Sequence, residues 1–326
     1  MEKIGIIGAG GWGTALSILL CEKFQVFLWE KFPDYAEFLT RTRVNSEYLP
    51  GFKIPQQVVI TNDIQFICSN VEIIIIAVPS QHFKNTVKYL KKFYKGQNIL
   101  IATKGLEPET GMRMSQILCS EIDIKNYAVM SGPTIACEVA AGKPTAAVIA
   151  SYNKNLAKKF QSMFSSKVLR LYTSIDVCGV EICGGYKNVL AIGSGIIDAL
   201  ELGDNAKAAY LTRSIEEMKN FGKFFGAKEK TFWGLAGIGD LITTSFSPSS
   251  RNHRFGQAVA KKKKRQFLES TKMVVEGIFA SIAIRKISQE KKIDTPIASA
   301  IYRIVHEDAD PLVEIEKLMT RQLKDE

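Results

Sequence analysis

The apolar run Ile4-Gly5-Ile6-Ile7 passes directly into Gly8-Ala9-Gly10-Gly11-Trp12-Gly13 and then into Thr14-Ala15-Leu16-Ser17-Ile18-Leu19-Leu20. This order reads as strand, tight turn, helix. In that setting Gly8 permits the turn, Gly10 lets backbone approach a pyrophosphate, and Gly13 lets the helix lie close on the strand, with the helix N-terminus facing the anion. A second strand, Gln25-Val26-Phe27-Leu28-Trp29, ends at Glu30, near the distance at which an acidic residue holds the ribose 2′-hydroxyl of NAD. A glycine-tolerant buried hairpin would leave the following helical pattern and Glu30 unexplained, so the chain is expected to open on a dinucleotide site.

The pattern then alternates. A helix-like segment from Pro33 to Arg41 precedes a polar linker turning at Pro50-Gly51, a strand at Val58-Val59-Ile60, and Thr61-Asn62-Asp63, suited to cap a short helix. The continuous β-branched run Glu72 to Val78 suits a parallel strand buried on both faces. A helix at Gln81–Phe93, a strand at Asn98–Ala102, a helix near Met112–Glu121 and a strand at Tyr127–Met130 continue the series, and β-like runs at Thr145–Ala150 and Val168–Thr173 flank a helical Asn155–Phe164. From about Cys178 such strands disappear and helical periods take over, at Asn188–Leu200, Ala206–Phe225, Glu276–Glu290 and Ile297–Val305. The expected fold is α/β: an N-terminal doubly wound, Rossmann-like parallel sheet over residues 1–177, followed by an all-α C-terminal domain over 178–326 that binds substrate and carries catalysis. The two are expected to share a broad interface with the active cleft between them.

Composition narrows the partners. At 326 residues and 46% hydrophobic the chain can fill two cores. The uncharged span Ile4–Cys21 is long enough to imitate a membrane helix or signal core, but its five glycines and its strand-turn-helix reading argue against that. A cytoplasmic protein without targeting segment or integral membrane contact is expected. The six cysteines show neither a C-x-x-C pair nor metal-like spacing, and His82, His253 and His306 are far apart, so reduced structural thiols and no metal are expected. The formal charge of +10 concentrates in Lys261-Lys262-Lys263-Lys264-Arg265, which lacks interleaved aromatics and lies between two helical patterns. It reads as a solvated connector, not a nucleic-acid surface.

Polar, glycine-bounded clusters fall where a substrate must be presented. Thr103-Lys104-Gly105 and Ser131-Gly132-Pro133-Thr134 end strands. Tyr186-Lys187-Asn188 is expected to open an otherwise apolar helix, and Gly237-Ile238-Gly239-Asp240 precedes Leu241-Ile242-Thr243-Thr244. Ser249-Ser250-Arg251-Asn252 would gather backbone N–H, hydroxyl, amide and guanidinium donors at the N-terminus of the helix through Phe255–Ala260. A phosphate suits that cluster.

With these residues in view, the chain from Ile4 to about Leu323 resembles the NAD(P)-dependent glycerol-3-phosphate dehydrogenases of the bacterial type. The matching stretches are Gly8–Leu16, Tyr48-Leu49-Pro50-Gly51, Ala102–Glu107, Ser131–Thr134, Lys187-Asn188-Val189, Gly203–Ala209, Gly237–Leu241, Ser250-Arg251-Asn252 and Val274-Val275-Glu276-Gly277. The resemblance implies reversible hydride transfer between nicotinamide and dihydroxyacetone phosphate, giving sn-glycerol 3-phosphate for phospholipid backbones, in a homodimer. It implies Lys187 as acid/base with Lys104, Asp240 and Asn188 around it. Arg251 and Asn252 would hold the substrate phosphate, with Gly132, Thr134, Thr244 and Ser250 also at substrate. Gly11, Trp12, Lys31, Ala136, Val274 and Glu276 would join Gly8, Gly10, Gly13 and Glu30 at the cofactor, together with Lys104 and Arg251. Two positions depart from the family pattern: Cys137 stands where a charged residue is common, and Gly185-Tyr186 replace alanine and a small apolar residue. Tyr186 is expected to narrow the cleft.

The chemistry agrees with these roles. As hydride reaches a carbonyl carbon, negative charge grows on its oxygen, and an ammonium can stabilise it and then donate a proton. Burial and a second cation at Lys104 would lower the Lys187 pKa, while Asp240 opposes that shift and fixes the side chain. A cation is disfavoured at a helix N-terminus, so Lys187 at a helix start calls for a functional reason. Glu30 should repel a 2′-phosphate and favour NAD, whereas Lys31 would accept NADP. Two other readings stand beside this one: a hydroxy-acid or keto-acid reductase of the same architecture, which needs carboxylate recognition, and a cofactor-sensing regulator without turnover.

Overall fold

The computed structural model describes residues 1–323 and Asp325. The chain divides into two compact units: Met1–Lys104 with Met112–Glu181, and Gly105–Gly111 with Ile182–Glu326.

The first unit contains β1 (Lys3–Ile7), α1 (Gly11–Leu20), β2 (Gln25–Trp29), α2 (Pro33–Thr42), β3 (Val59–Thr61), α3 (Ile64–Asn70), β4 (Ile73–Ile76), α4 (Ser80–Lys91), β5 (Asn98–Ile101), α5 (Met114–Glu121), β6 (Tyr127–Ser131), α6 (Ala136–Ala140), β7 (Thr145–Ala150), α7 (Lys154–Phe164) and β8 (Leu169–Ser174). The expected β-branched runs form the middle of the sheet, and all four isoleucines of β4 are buried, as a strand covered on both faces requires. The eight strands lie in the order β3-β2-β1-β4-β5-β6-β7-β8. Strand order reverses between β1 and β4, and the crevice beyond the carboxyl ends of strands at such a point is where open α/β sheets bind ligands. Ile4, Ile6, Val26, Leu28, Ile75 and Leu100 belong to one core cluster of this unit. Asp63 caps α3 by accepting from Phe66 N, in the place the sequence marks for a cap.

The sheet is not parallel throughout: β6 and β7 pair antiparallel, whereas β7 and β8 pair parallel. The connection over residues 132–144 carries only the five-residue α6 and no long crossover helix, and β7 re-enters at the end where β6 left.

Beyond β8 the elements are α8 (Val177–Ala199), α9 (Gly203–Phe224), α10 (Glu229–Phe232), a π-helical turn at Leu235–Gly239, α11 (Asp240–Phe246), α12 (Arg251–Ala260), α13 (Lys264–Glu269), α14 (Glu276–Lys291), α15 (Pro296–His306) and α16 (Pro311–Met319). Glycines set the spacing here. A side chain at Gly195 of α8 would run into the His253 carbonyl of α12, one at Gly256 into the Ile192 carbonyl of α8, and one at Gly277 of α14 into the Asn188 carbonyl. The helices carrying Lys187, Arg251 and Glu276 therefore meet nearly backbone to backbone. Gly105–Gly111 packs with them: a Cβ at Gly185 would lie 3.3 Å from the Gly105 carbonyl carbon. Among the described residues, no helix is long and apolar enough to cross a membrane.

Candidate active site

In the sheet unit, the glycine loop has the geometry its spacing implies. Gly8 adopts φ +114°, a region that favours glycine. Gly10 faces open space, and any side chain at Gly13 would strike the Gly8 carbonyl. The loop feeds a ten-residue α1 whose N-cap is Gly10, leaving its first N–H groups for an anion. Ala136 lies 3.8 Å from where a Gly11 side chain would begin, and Trp12 packs partly buried against the core. A residue absent from the sequence reading holds this loop. Asn45, fully buried, donates to the Ala9 carbonyl at 2.7 Å and to Thr14 Oγ1 at 2.8 Å, and accepts from the Tyr35 hydroxyl at 2.8 Å. Nothing in the local pattern distinguishes it from a polar linker residue.

Glu30 follows β2, is buried, and accepts from Phe32 N at 3.0 Å. Burial pushes its carboxyl above the ordinary value, which the hydrogen bonds from Phe32 and Lys31 only partly offset. Lys31 is exposed, its ammonium 5.5 Å from the Phe32 ring centre. Beyond β5, Lys104 Nζ donates to the Gly132 carbonyl at 2.7 Å and to Thr134 Oγ1 at 3.1 Å. Three expected substrate residues, Lys104, Gly132 and Thr134, are thus brought together in this unit.

The helical unit assembles the second group. Lys187 is 7% exposed and Asp240 2%, burial at which an ionised side chain needs a partner. Lys187 Nζ lies 3.0 Å from Asp240 Oδ1 and donates to Thr244 Oγ1 at 2.6 Å. Thr244 in turn donates to the Asp240 carbonyl at 2.7 Å, one turn back on α11. Asn188 Oδ1 accepts from Asn252 Nδ2 at 2.9 Å, and Asn252 Oδ1 accepts from Gly277 N at 2.9 Å, so one amide ties α8, α12 and α14. Ser250 caps α12 by accepting from His253 N. At the next position, Arg251 Nη1 donates to the Val274 carbonyl at 2.8 Å. Burial holds its guanidinium below the ordinary pKa, opposed by Glu276 in the first turn of α14.

Two expectations are corrected. Lys187 does not open a helix, because α8 begins at Val177, and the argument from an unfavourable helix N-terminus falls away. Burial with Asp240 and Thr244 is what sets Lys187 apart. Tyr186 does not narrow a cleft: it is fully buried, its ring 5.1 Å from that of Phe221 and its hydroxyl donating to Glu217 at 2.8 Å. Adjacent residues of an α-helix point about 100° apart, so neighbours 186 and 187 serve core and site separately. The sequence reading also missed Asp198, whose Oδ2 lies 2.7 Å from His253 Nε2 and 2.8 Å from Lys207 Nζ. Burial alone would raise the Asp198 carboxyl, but hydrogen bonds from Lys207 and His253 outweigh it and hold the group below its ordinary value. This cluster braces α12 just behind Arg251 and Asn252.

Of the cysteines, Cys21, Cys68, Cys178 and Cys183 are buried, Cys137 is half-buried and Cys119 is exposed.

Comparison with known proteins covers both units. Residues 3–157 match the family described as NAD-dependent glycerol-3-phosphate dehydrogenase N-terminus, and residues 176–316 match its C-terminus. The chain is 43% identical over 323 residues to glycerol-3-phosphate dehydrogenase [NAD(P)+] of Thermotoga sp. strain RQ2, covering 98% of each. It is 39% identical over 325 residues to the enzyme of that name from Pelotomaculum thermopropionicum, covering 98% of this chain and 93% of the other. The crystal structure of a glycerol-3-phosphate dehydrogenase from Coxiella burnetii superposes with a TM-score of 0.95 at 36% identity, covering 98% of this chain and 99% of that one. The chain belongs to the NAD-dependent glycerol-3-phosphate dehydrogenase family.

Proposed function

We propose that the chain interconverts dihydroxyacetone phosphate and sn-glycerol 3-phosphate with a nicotinamide cofactor, and that Lys187 is its acid/base. The observation that carries the role of Lys187 is its buried ammonium, fixed by Asp240 and Thr244. A bound reduced nicotinamide would supply a hydride to the central carbon of the substrate. Lys187 then stabilises the charge growing on the carbonyl oxygen and gives it a proton, leaving the secondary alcohol and a neutral amine that regains its proton from solvent. Asp240 and Thr244 hold the ammonium in place. Arg251, Asn252 and Ser250, at the start of α12, take the substrate phosphate, where a guanidinium fork and free helix N–H groups favour a dianion. Asn188 orients Asn252. From the sheet unit, Lys104, Gly132 and Thr134 contribute to the substrate, and Gly8–Gly13, Lys31 and Ala136 to the cofactor; Val274 and Glu276 of the helical unit also serve the cofactor.

The loop fits a pyrophosphate, since Gly10 leaves the approach open and α1 presents its N-terminus. Glu30, at the end of β2, supports a preference for NAD over NADP through the ribose 2′-hydroxyl. Division of labour between a cofactor domain over 1–177 and a substrate domain over 178–326 is part of the same reading, as is a cytoplasmic homodimer. Half-exposed Phe224, Trp233 and Phe246 of the helical unit supply apolar area of the kind a second copy covers. The test is nicotinamide fluorescence on adding dihydroxyacetone phosphate to purified protein, in parallel with NADH and NADPH. Rapid decay, faster with NADH, is expected. No decay with either cofactor, with cofactor binding demonstrated, would overturn the assignment.

A further inference from the structure

Helices α14, α15 and α16 border an open cavity of about 320 Å³ lined by Arg285, Arg303, Lys317 and Arg321, with a single carboxylate, Asp294, in its wall. Much of this positive charge is answered. Arg303 and Lys317 both bind the buried Glu314, at 2.5 and 2.7 Å, and Arg321 binds Asp294 at 2.8 Å. Arg285 is different. Its Nη1 donates to Ser299 Oγ at 3.2 Å and its guanidinium lies 5.8 Å from the Tyr302 ring centre, while Gln289 offers an amide oxygen at 3.2 Å once that amide is turned to accept. Among the described residues no carboxylate forms a salt bridge with it. Four cations thus face two carboxylates, and the excess centres on an arginine held by neutral groups. In the same wall, Ser288 is 5% exposed and its hydroxyl has no hydrogen-bond partner. A buried hydroxyl without a partner costs free energy that a ligand oxygen would recover.

We propose that this cavity is a second anion site, separate from the Arg251 cluster, that binds a small phosphate monoester. A planar guanidinium held by Ser299 and the Tyr302 ring suits two phosphate oxygens, and Arg321, already half-exposed, adds a second donor. The helix N-terminus nearby is not the source of attraction, because Ile297 N and Ala298 N of α15 are both taken by Glu217. The volume leaves room beside the phosphate for a short polyol, so a monoester is expected to bind more tightly than inorganic phosphate.

The experiment is calorimetric titration of the full chain with glucose 6-phosphate and, separately, with inorganic phosphate. One saturable glucose 6-phosphate site is expected, retained in Arg251→Lys and weakened at least tenfold in Arg285→Gln and in Arg321→Ser, with inorganic phosphate several-fold weaker. Ser288→Ala, which removes only the hydroxyl, should weaken binding less while leaving the fold unchanged. The proposal is overturned if no saturable binding occurs, or if binding is lost in Arg251→Lys and unaffected in the other variants. This result does not depend on turnover, so it stays separable from the catalytic assignment.

Discussion

Lys187 Nζ and Asp240 Oδ1 stand 3.0 Å apart although 53 positions separate them in the chain. The contact places a cation of α8 against a carboxylate that begins α11, both shielded from water. Replacing Lys187 by Met keeps the aliphatic stem but removes the ammonium. Turnover should fall by about two to four orders of magnitude, the range for loss of a general acid, with cofactor affinity within about twofold. Stopped-flow oxidation of NADH and a fluorescence titration of the cofactor would measure the two; retained turnover would move the proton donor elsewhere.

Arg251 offers a narrower test. Arg251→Lys keeps the charge and loses the fork that, in the proposed reading, would span two phosphate oxygens, along with its bond to the Val274 carbonyl. The KM for dihydroxyacetone phosphate should rise about tenfold or more, with a smaller change in kcat. A variant with unaltered KM would assign the substrate phosphate to other residues.

In the proposed reading, cofactor choice depends on Glu30. Glu30 stands at the end of β2, buried and accepting from Phe32 N, where a carboxylate disfavours a 2′-phosphate. Glu30→Ser should increase kcat/KM for NADPH relative to NADH, measured with both cofactors at fixed substrate. An unchanged ratio would mean that another group selects the ribose.

Glu217 gives a pH dependence of stability. It accepts from Ile297 N, Ala298 N and Tyr186 Oη, yet burial raises it from the ordinary 4.5 to about 7. Because the folded value lies above the unfolded one, its stabilising contribution is complete below about 4.5 and is lost as pH climbs through about 7. Relative to Glu217→Gln, the wild-type Tm should therefore decline between those two pH values. Parallel Tm profiles for the two proteins would refute the linkage.

The close approach of α1 to β1 can be tested at Gly13, where a methyl meets the Gly8 carbonyl. Gly13→Ala should cost about 1–3 kcal/mol, the usual penalty for overpacking, and weaken cofactor binding in the same protein. Denaturant unfolding and a cofactor titration would read both effects.

Much of this molecule is legible in the sequence where one kind of residue faces one kind of environment. The all-buried isoleucines of β4 and the cap at Asp63 announce themselves because period and capping chemistry are local. The start of α8 is not legible, since Gly179, Gly184 and Gly185 look like helix breakers, whereas the helix runs through them and a side chain at Gly185 would crowd the Gly105 backbone. Tyr186 misleads for a related reason: a large polar-tipped ring beside a functional lysine suggests a cleft, but its partner Glu217 lies 31 residues away. Asn45 and Asp198 are invisible for want of any local signal, because what each supports is brought to it by the fold.

Gly105–Gly111 packs with the helical unit although it lies between two segments of the sheet unit. During synthesis it leaves the ribosome before any of the helices that receive it, and all of Met112–Glu181 must follow first. Leu106, 1% exposed in the finished protein, has no such cover in the nascent chain. The sheet can close around its own core while this loop waits, so the loop becomes protected from proteases only after the second half of the chain has folded.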